Sequence, residues 1–337
     1  MTKFHLNEDE EKEFLNYVVI RPDIIDWEEL THSKLFAVKS YKDSVYRGDI
    51  EDAMRHGRGV ITYNSTRVYE GSWVRDKRDG LGYERFSNGN IYEGEYLNGK
   101  VHGQGRYVWA SGEYYEGMWV KGLKEGHGIW EGLEGDSYIG QWLQNKPYGF
   151  GKHIWGNGDV YEGEWKACLR HGQGCDKFAI GDVYVGEYTW GKAEGLGQYT
   201  WRNGHFYSGQ FFNGQKNGQG HWKKSGRPDS NQYQGNYSQD RKHGYGEFTW
   251  GTGSKYKGNY ENDDKKGYGE MYWADGSIYR GLWRDGVQTG IGLMIFKDGL
   301  RKAGFFENNI YKKPLTKMQE FENYERGLEE TYPEAFR

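Results

Sequence analysis

Residues 92–114 read YEGEYLNGKVHGQGRYVWASGEY, and the fold follows from how this stretch recurs. Tyr-x-Gly starts fall at Tyr46, Tyr69, Tyr92, Tyr115, Tyr138, Tyr161, Tyr184 and Tyr207, each 23 residues apart. The next step, to Tyr233, is 26 residues; Tyr256 and Tyr279 restore 23, and a degraded unit starts at Lys302. In every complete unit the third, twelfth and fourteenth residues are Gly, so Gly103/Gly105, Gly126/Gly128 and Gly172/Gly174 are members of one registered series. The fifth residue is aromatic in ten of eleven units and the eighteenth in nine. Self-similarity at such a period is the signature of a repeat architecture.

Within one unit, Tyr92, Gly94 and Tyr96 alternate with Glu93 and Glu95, the period-two pattern of a strand. Asn98-Gly99 is turn chemistry, as is Ser111-Gly112. The pattern predicts a second strand from about Gly105 to Trp109, with the paired glycines marking its entry from the turn. Each unit is then a β-hairpin, and glycines leave gaps in the sheet where neighbouring rings lie flat. The expected fold is an all-β repeat protein: an elongated single-layer antiparallel meander of about 11–12 hairpins over residues 46–308, about 10 Å per repeat. Residues 1–45 and 309–337 form short helical extensions, and KKSGRPDSNQ (223–232) holds a three-residue insertion. Asn7 followed by four acids suggests a helix start with Phe14, Tyr17 and Val18 on its apolar stripe. Thr316-x-x-Gln319 reads as a capping box ahead of a second helix carrying Phe321 and Leu328. Both helices are expected to cover the open sheet edges.

Composition fits an aromatic core: mean hydropathy is -1.01, yet 17% of residues are aromatic and 53 are Gly. Net charge is -4, all of it within residues 1–45, so the repeats are neutral and a dedicated nucleic-acid binder is not indicated. The acidic start lacks the apolar stretch of a secretory leader, no run of 18 apolar residues occurs, and two cysteines suit a reducing compartment. The expected location is cytoplasmic.

The stretch HGQG invites a phosphate-loop reading, but no Gly-Lys-Ser/Thr follows and no helix start accompanies any repeat. Cys168-x-x-His171-x-x-x-Cys175 is the strongest metal candidate, yet His171 and Cys175 fill slots that other repeats give to non-ligands. No Ser/His/Asp or paired-carboxylate set stands out. No catalytic residue, metal or cofactor is expected, and the protein is read as not an enzyme.

Tyr-x-Gly-x-Trp, six residues, then Gly-x-Gly, on a 23-residue register resembles the MORN repeat (membrane occupation and recognition nexus). The resemblance implies a non-catalytic interaction scaffold in a microtubule-based assembly, the ciliary axoneme foremost, at a radial spoke or doublet. It also implies partners that are cytoskeletal or ciliary proteins. Two alternatives stay open: a peripheral membrane protein that binds anionic phosphoinositides, and an adaptor for a cytoskeletal motor. Exposed rings are expected to carry recognition: Trp73, Trp119, Trp142, Trp165, Trp201, Trp250 and Trp283. A base near each hairpin turn (Arg55, Lys77, Lys100, Lys124, Lys146, Arg170, Lys192, Lys216, Lys242, Lys265) is expected to line one edge with positive charge.

Overall fold

The computed structural model describes residues 25–336, so the helix expected around Asn7–Val18 lies outside the described residues. The chain divides into two compact units, Met1–Ala179 and Ile180–Arg337. Among the described residues the first holds thirteen strands, from Phe36–Ser40 to Leu169–Lys177, and the second twelve, from Val183–Thr189 to Ile310–Pro314. Inside each unit every strand pairs antiparallel with its successor in sequence. Both units are therefore open antiparallel meanders, and the protein is all-β apart from short helices near the ends of the described chain.

One repeat shows why the sequence folds this way. Strand Ile91–Leu97 turns through Asn98 (φ 51°) and Gly99 (φ 84°) into strand Lys100–Val108. Positive φ at both central residues makes a type I′ turn, whose twist matches that of the flanking strands. An Asn or Asp in the turn also ties neighbouring repeats together, because its side-chain oxygen accepts from a backbone N–H of the preceding repeat. Asn145 accepts from Lys124 at 2.8 Å, Asp263 from Lys242 at 3.0 Å and Asn309 from Gln288 at 2.8 Å.

The second strand begins directly after this turn rather than at Gly105. Gly94 faces Gly105, but Tyr96 faces Val101, so the second strand carries extra residues at a bulge. Gly103 sits there at φ 57°, the left-handed region that favours glycine. Glu95 closes the bulge from the fourth position, its carboxylate accepting from the Gln104 N–H at 3.0 Å. Glu164 does the same for Gln173 at 2.8 Å, and Gln210 for Gln219 at 2.8 Å.

The two faces of the sheet differ sharply. On the front lie the first-position tyrosines, each at most 2% exposed. The Tyr92 ring rests on the bare backbone of Gly105, where an added Cβ would overlap the tyrosine hydroxyl oxygen. That hydroxyl donates to the Glu95 carbonyl at 3.0 Å, which satisfies the one polar atom of a buried ring. The fifth-position ring wedges edge-on between successive tyrosines; Trp119 meets Tyr115 at 5.0 Å and Tyr92 at 5.9 Å, both near 90°. Edge-to-face geometry aligns the positive ring edge with a negative ring face. The core of each unit is this aromatic zipper, repeated without an overlying layer.

In each unit the opposite, back face mixes polar side chains with exposed apolar ones, such as Leu81 in the first and Val185 and Leu196 in the second, and it carries a helix near the end of the described chain. Helix α1 (Trp27–Thr31), N-capped by Asp26, sets Ile25 and Leu30 against Val60. Helix α2 (Met318–Thr331) buries Phe321 between Leu293 and Ala303. Two expectations about the helices are corrected here. The C-terminal helix packs on the back face of its unit, where Leu293 and Ala303 receive Phe321, and leaves the final edge strand uncovered. The edge role expected of the N-terminal helix lies outside the described residues, while α1 packs with Val60 and with Phe36 of the first strand. The final strand, Ile310–Pro314, is exposed throughout; its shortness, two lysines and terminal Pro are what discourage edge pairing. Thr316 is not an N-cap either: Lys317 holds that place without a side-chain cap, and the Thr316 hydroxyl bonds Glu320 instead.

Candidate interaction site: the aromatic groove of the front face

Three registered positions shape a groove along the front face of each unit. The fifth-position rings form its floor, the eighteenth-position rings one wall, and the tenth residue projects between them. Strand periodicity forces this, because the tenth residue faces the fifth across the hairpin, as Lys124 faces Trp119.

This arrangement corrects the expected set of partner-facing rings, which mixes two slots. Trp73, Trp119, Trp142, Trp165 and Trp283 occupy the fifth position and are only 3–7% exposed. Each donates its indole N–H to a glycine carbonyl of the preceding repeat, at 3.0 Å from Trp119 to Gly105 and 3.0 Å from Trp283 to Gly269. They are core. Trp201 and Trp250 occupy the eighteenth position and are half-buried, each leaving part of its ring to the groove. Trp109, Trp155 and Trp273 share that slot and that partial exposure, and they join the candidate set although the sequence reading omits them. A signal for them exists: the eighteenth slot falls just past the strand end.

The row of bases also divides in two. Lys77, Lys100, Lys146 and Lys192 are ninth residues and exposed, whereas Arg55, Lys124, Arg170, Lys216, Lys242 and Lys265 are tenth residues and half-buried among rings. Lys124 Nζ lies 4.8 Å from Trp109, 4.9 Å from Tyr115 and 4.7 Å from Trp142. Lys265 is held in the same way, 5.3 Å from Trp250, 5.0 Å from Tyr256 and 4.5 Å from Trp283. Burial pushes the Lys124 amine down to about 8 and lowers those of Lys216 and Lys265, while the negative ring faces attract the ammonium. A uniform basic edge is therefore absent among the described residues, because alternate residues of a strand point to opposite faces.

Buried ion pairs interrupt the groove at two repeats. Glu84, 1% exposed, accepts from Arg67 at 2.5 Å and 2.8 Å and from the Tyr96 hydroxyl at 2.8 Å, and pairs also with Arg78. Asp176, 3% exposed, is held by Arg170 at 2.5 Å. In both, the carboxylate fills the sixteenth slot, elsewhere given mainly to rings.

The paired glycines support the groove from beneath. Gly103, Gly126 and Gly172 stand at the bulge with φ between 57° and 60°, and Gly105, Gly128 and Gly174 lie under Tyr92, Tyr115 and Tyr161. Of the metal candidate, Cys168 is exposed in a turn and Cys175 buried, and no group of three or more metal-ligating side chains gathers among the described residues.

Comparison with known proteins adds a family. A family model described as MORN repeat matches residues 46–65, 69–91, 92–114, 115–136, 138–160, 161–183, 184–206, 207–225, 233–255, 256–278 and 279–301. No curated protein matches. Among solved structures, the chain is similar to the SAS-4 (dCPAP) TCP domain of Drosophila melanogaster in complex with a proline-rich motif of Ana2. There identity is 10%, coverage 47% of this chain and 85% of that one, and the TM-score 0.30. The wild-type TCP10 domain of Danio rerio CPAP shows 12% identity over 70% of this chain and 99% of that one, with a TM-score of 0.25. Likeness at this level has no bearing on function.

Proposed function

This chain belongs to the MORN repeat family, and from that premise we propose that it is a non-catalytic scaffold of a microtubule-based assembly, the ciliary axoneme foremost, gripping partner proteins along its aromatic groove. The observation that carries the reading is the registered groove itself. Half-buried rings recur at one spacing, each offering a flat face beside apolar or cationic neighbours, the composition that concentrates binding energy at protein interfaces. A surface that repeats one chemistry many times suits an extended partner segment better than a single small substrate.

Family membership supports the scaffold role; the ciliary placement rests on the resemblance to axonemal members. The membrane alternative draws on the four exposed ninth-position lysines, whereas the tenth-position bases turn inward among rings, which spaces the ninth-position charges about one repeat or more apart rather than in a dense cluster. Among the described residues no helix is long and apolar enough to cross a membrane.

The test is to express the tagged protein in a ciliated cell beside a Trp201→Ser/Trp250→Ser variant shown by melting to stay folded. Wild type is expected on a microtubule-based structure and the variant dispersed. Wild type at a membrane, or a variant that localises as wild type does, contradicts the proposal.

A further inference from the structure

Three successive repeats of the second unit supply their own cation, whereas its first repeat carries Ala193 in that slot. In each of the three a tenth-position lysine inserts among rings contributed by its own repeat and its neighbours. Lys216 lies 5.8 Å from Trp201, 5.7 Å from Tyr207 and 5.3 Å from Tyr237. Lys242 lies 5.9 Å from Tyr233, 5.7 Å from Phe248 and 5.6 Å from Tyr260. Lys265 makes the tightest set, against Trp250, Tyr256 and Trp283. The rule is one cation per cage, supplied by the chain.

The next repeat breaks the rule. Its tenth residue is Gln288, while the cage rings persist: Trp273 at the eighteenth slot before it, Tyr279 at its first position and Phe306 at the fifth slot after it. Tyr279 and Phe306 keep the edge-to-face packing, 4.9 Å apart at 77°. A cavity of about 470 Å³ opens here, lined by Trp273, Phe306 and Met294, with Gln288, Asn309 and Lys265 as its polar rim. Gln288 is uncharged and itself 7% exposed, so the tenth slot supplies no cation to Trp273 and Phe306, while Lys265 and Lys302 sit at the border of the cavity over Trp283 and Phe296.

We propose that this cavity receives the cationic side chain, arginine or lysine, of an extended partner segment, replacing from outside the cation that the preceding repeats supply from within. The proposal rests on the groove being the partner-binding surface. Electrostatic complementarity selects the class: ring faces are negative and attract a cation inserted among them, as they attract Lys265 one repeat away. Lys265 borders the cavity and repels a guest cation, a repulsion the row already tolerates between Lys242 and Lys265, one repeat apart at about 10 Å by strand spacing. Arginine fits best, because a planar guanidinium stacks on an indole.

The experiment titrates the full chain with acetyl-Gly-Arg-Gly-amide and, in parallel, with its citrulline counterpart, which keeps the shape and loses the charge. Indole N–H resonances report each tryptophan separately. The expected result is a saturable shift of Trp273 at millimolar arginine peptide, with the citrulline peptide roughly tenfold weaker. Gln288→Lys fills the cage internally, as lysine does in the three sister repeats, and is expected to abolish the shift. Should that variant misfold, Trp273→Leu removes a cage wall, and its weakened binding is read from the Trp283 indole signal. Equal binding of the two peptides, no shift with arginine, or full binding by the folded Gln288→Lys protein overturns the proposal. None of those results touches the wider groove reading, which stands or falls on the localisation of the Trp201→Ser/Trp250→Ser variant.

Discussion

At the residue scale, glycine serves two separate physical needs that the sequence alone displays as one motif. Gly103 is required for its backbone angle; Gly105 is required because Tyr92 occupies the volume of its side chain. A substitution series separates them from turn glycines such as Gly99, where the left-handed angle is present but nothing stands within 4 Å. Gly105→Ala forces its methyl against a tyrosine that is 0% exposed and cannot retreat, an overpacking cost of about 3 kcal/mol. Gly99→Ala meets only backbone strain, about 1 kcal/mol. Urea denaturation of the two variants is expected to rank them in that order, and equal midpoints would contradict the ring-over-glycine account.

At the element scale, hairpins, turns and the alternation of faces were legible because period-two patterning and Asn-Gly turns are local signals. The bulge was not. Gly-x-Gly looked like the entry to a strand, whereas pairing of Tyr96 with Val101 places both glycines inside one, a fact of register between strands. The role of Glu95 was hidden for the same reason, since it bonds a backbone N–H across the hairpin. Burial of the fifth-position tryptophans depends on rings from the preceding repeat, so alternation gave their face but not their exposure. The C-terminal helix was legible from its apolar stripe, but its docking on the back face depends on apolar residues at strand positions that local pattern does not connect to it.

A pH dependence belongs to this scale too. His153 stacks on Trp155 at 4.3 Å and 14° and neighbours Tyr138 and Trp165. Burial holds its imidazole below the ordinary value of 6.5, with Asp136 opposing more weakly. A depressed value means that the unfolded chain binds the proton more readily, so the contribution is intact above 6.5 and is lost as pH falls through the lower folded value. Thermal melts of wild type and His153→Phe, followed through that window, are expected to show a smaller acid-side loss in the variant. Identical pH profiles would sink this attribution.

At the scale of the whole molecule, one repeated solution to ring burial yields one repeated surface, and a few repeats depart from it. Glu84 and Asp176 plug the groove with ion pairs, Gln288 opens it, and the ninth-position lysines decorate the other face. Family membership was legible in the sequence because eleven registered units carry it. The usable part of the groove was not, because it depends on which slot each ring fills. The central claim is that proteins, not lipids, hold this chain in place through a cytoskeletal assembly. Its most direct test is sequential extraction of ciliated cells, first with non-ionic detergent and then with high salt, tracking the tagged protein against tubulin. The predicted result is retention with the microtubule fraction through detergent and release by salt. Release by detergent together with membrane markers would contradict it.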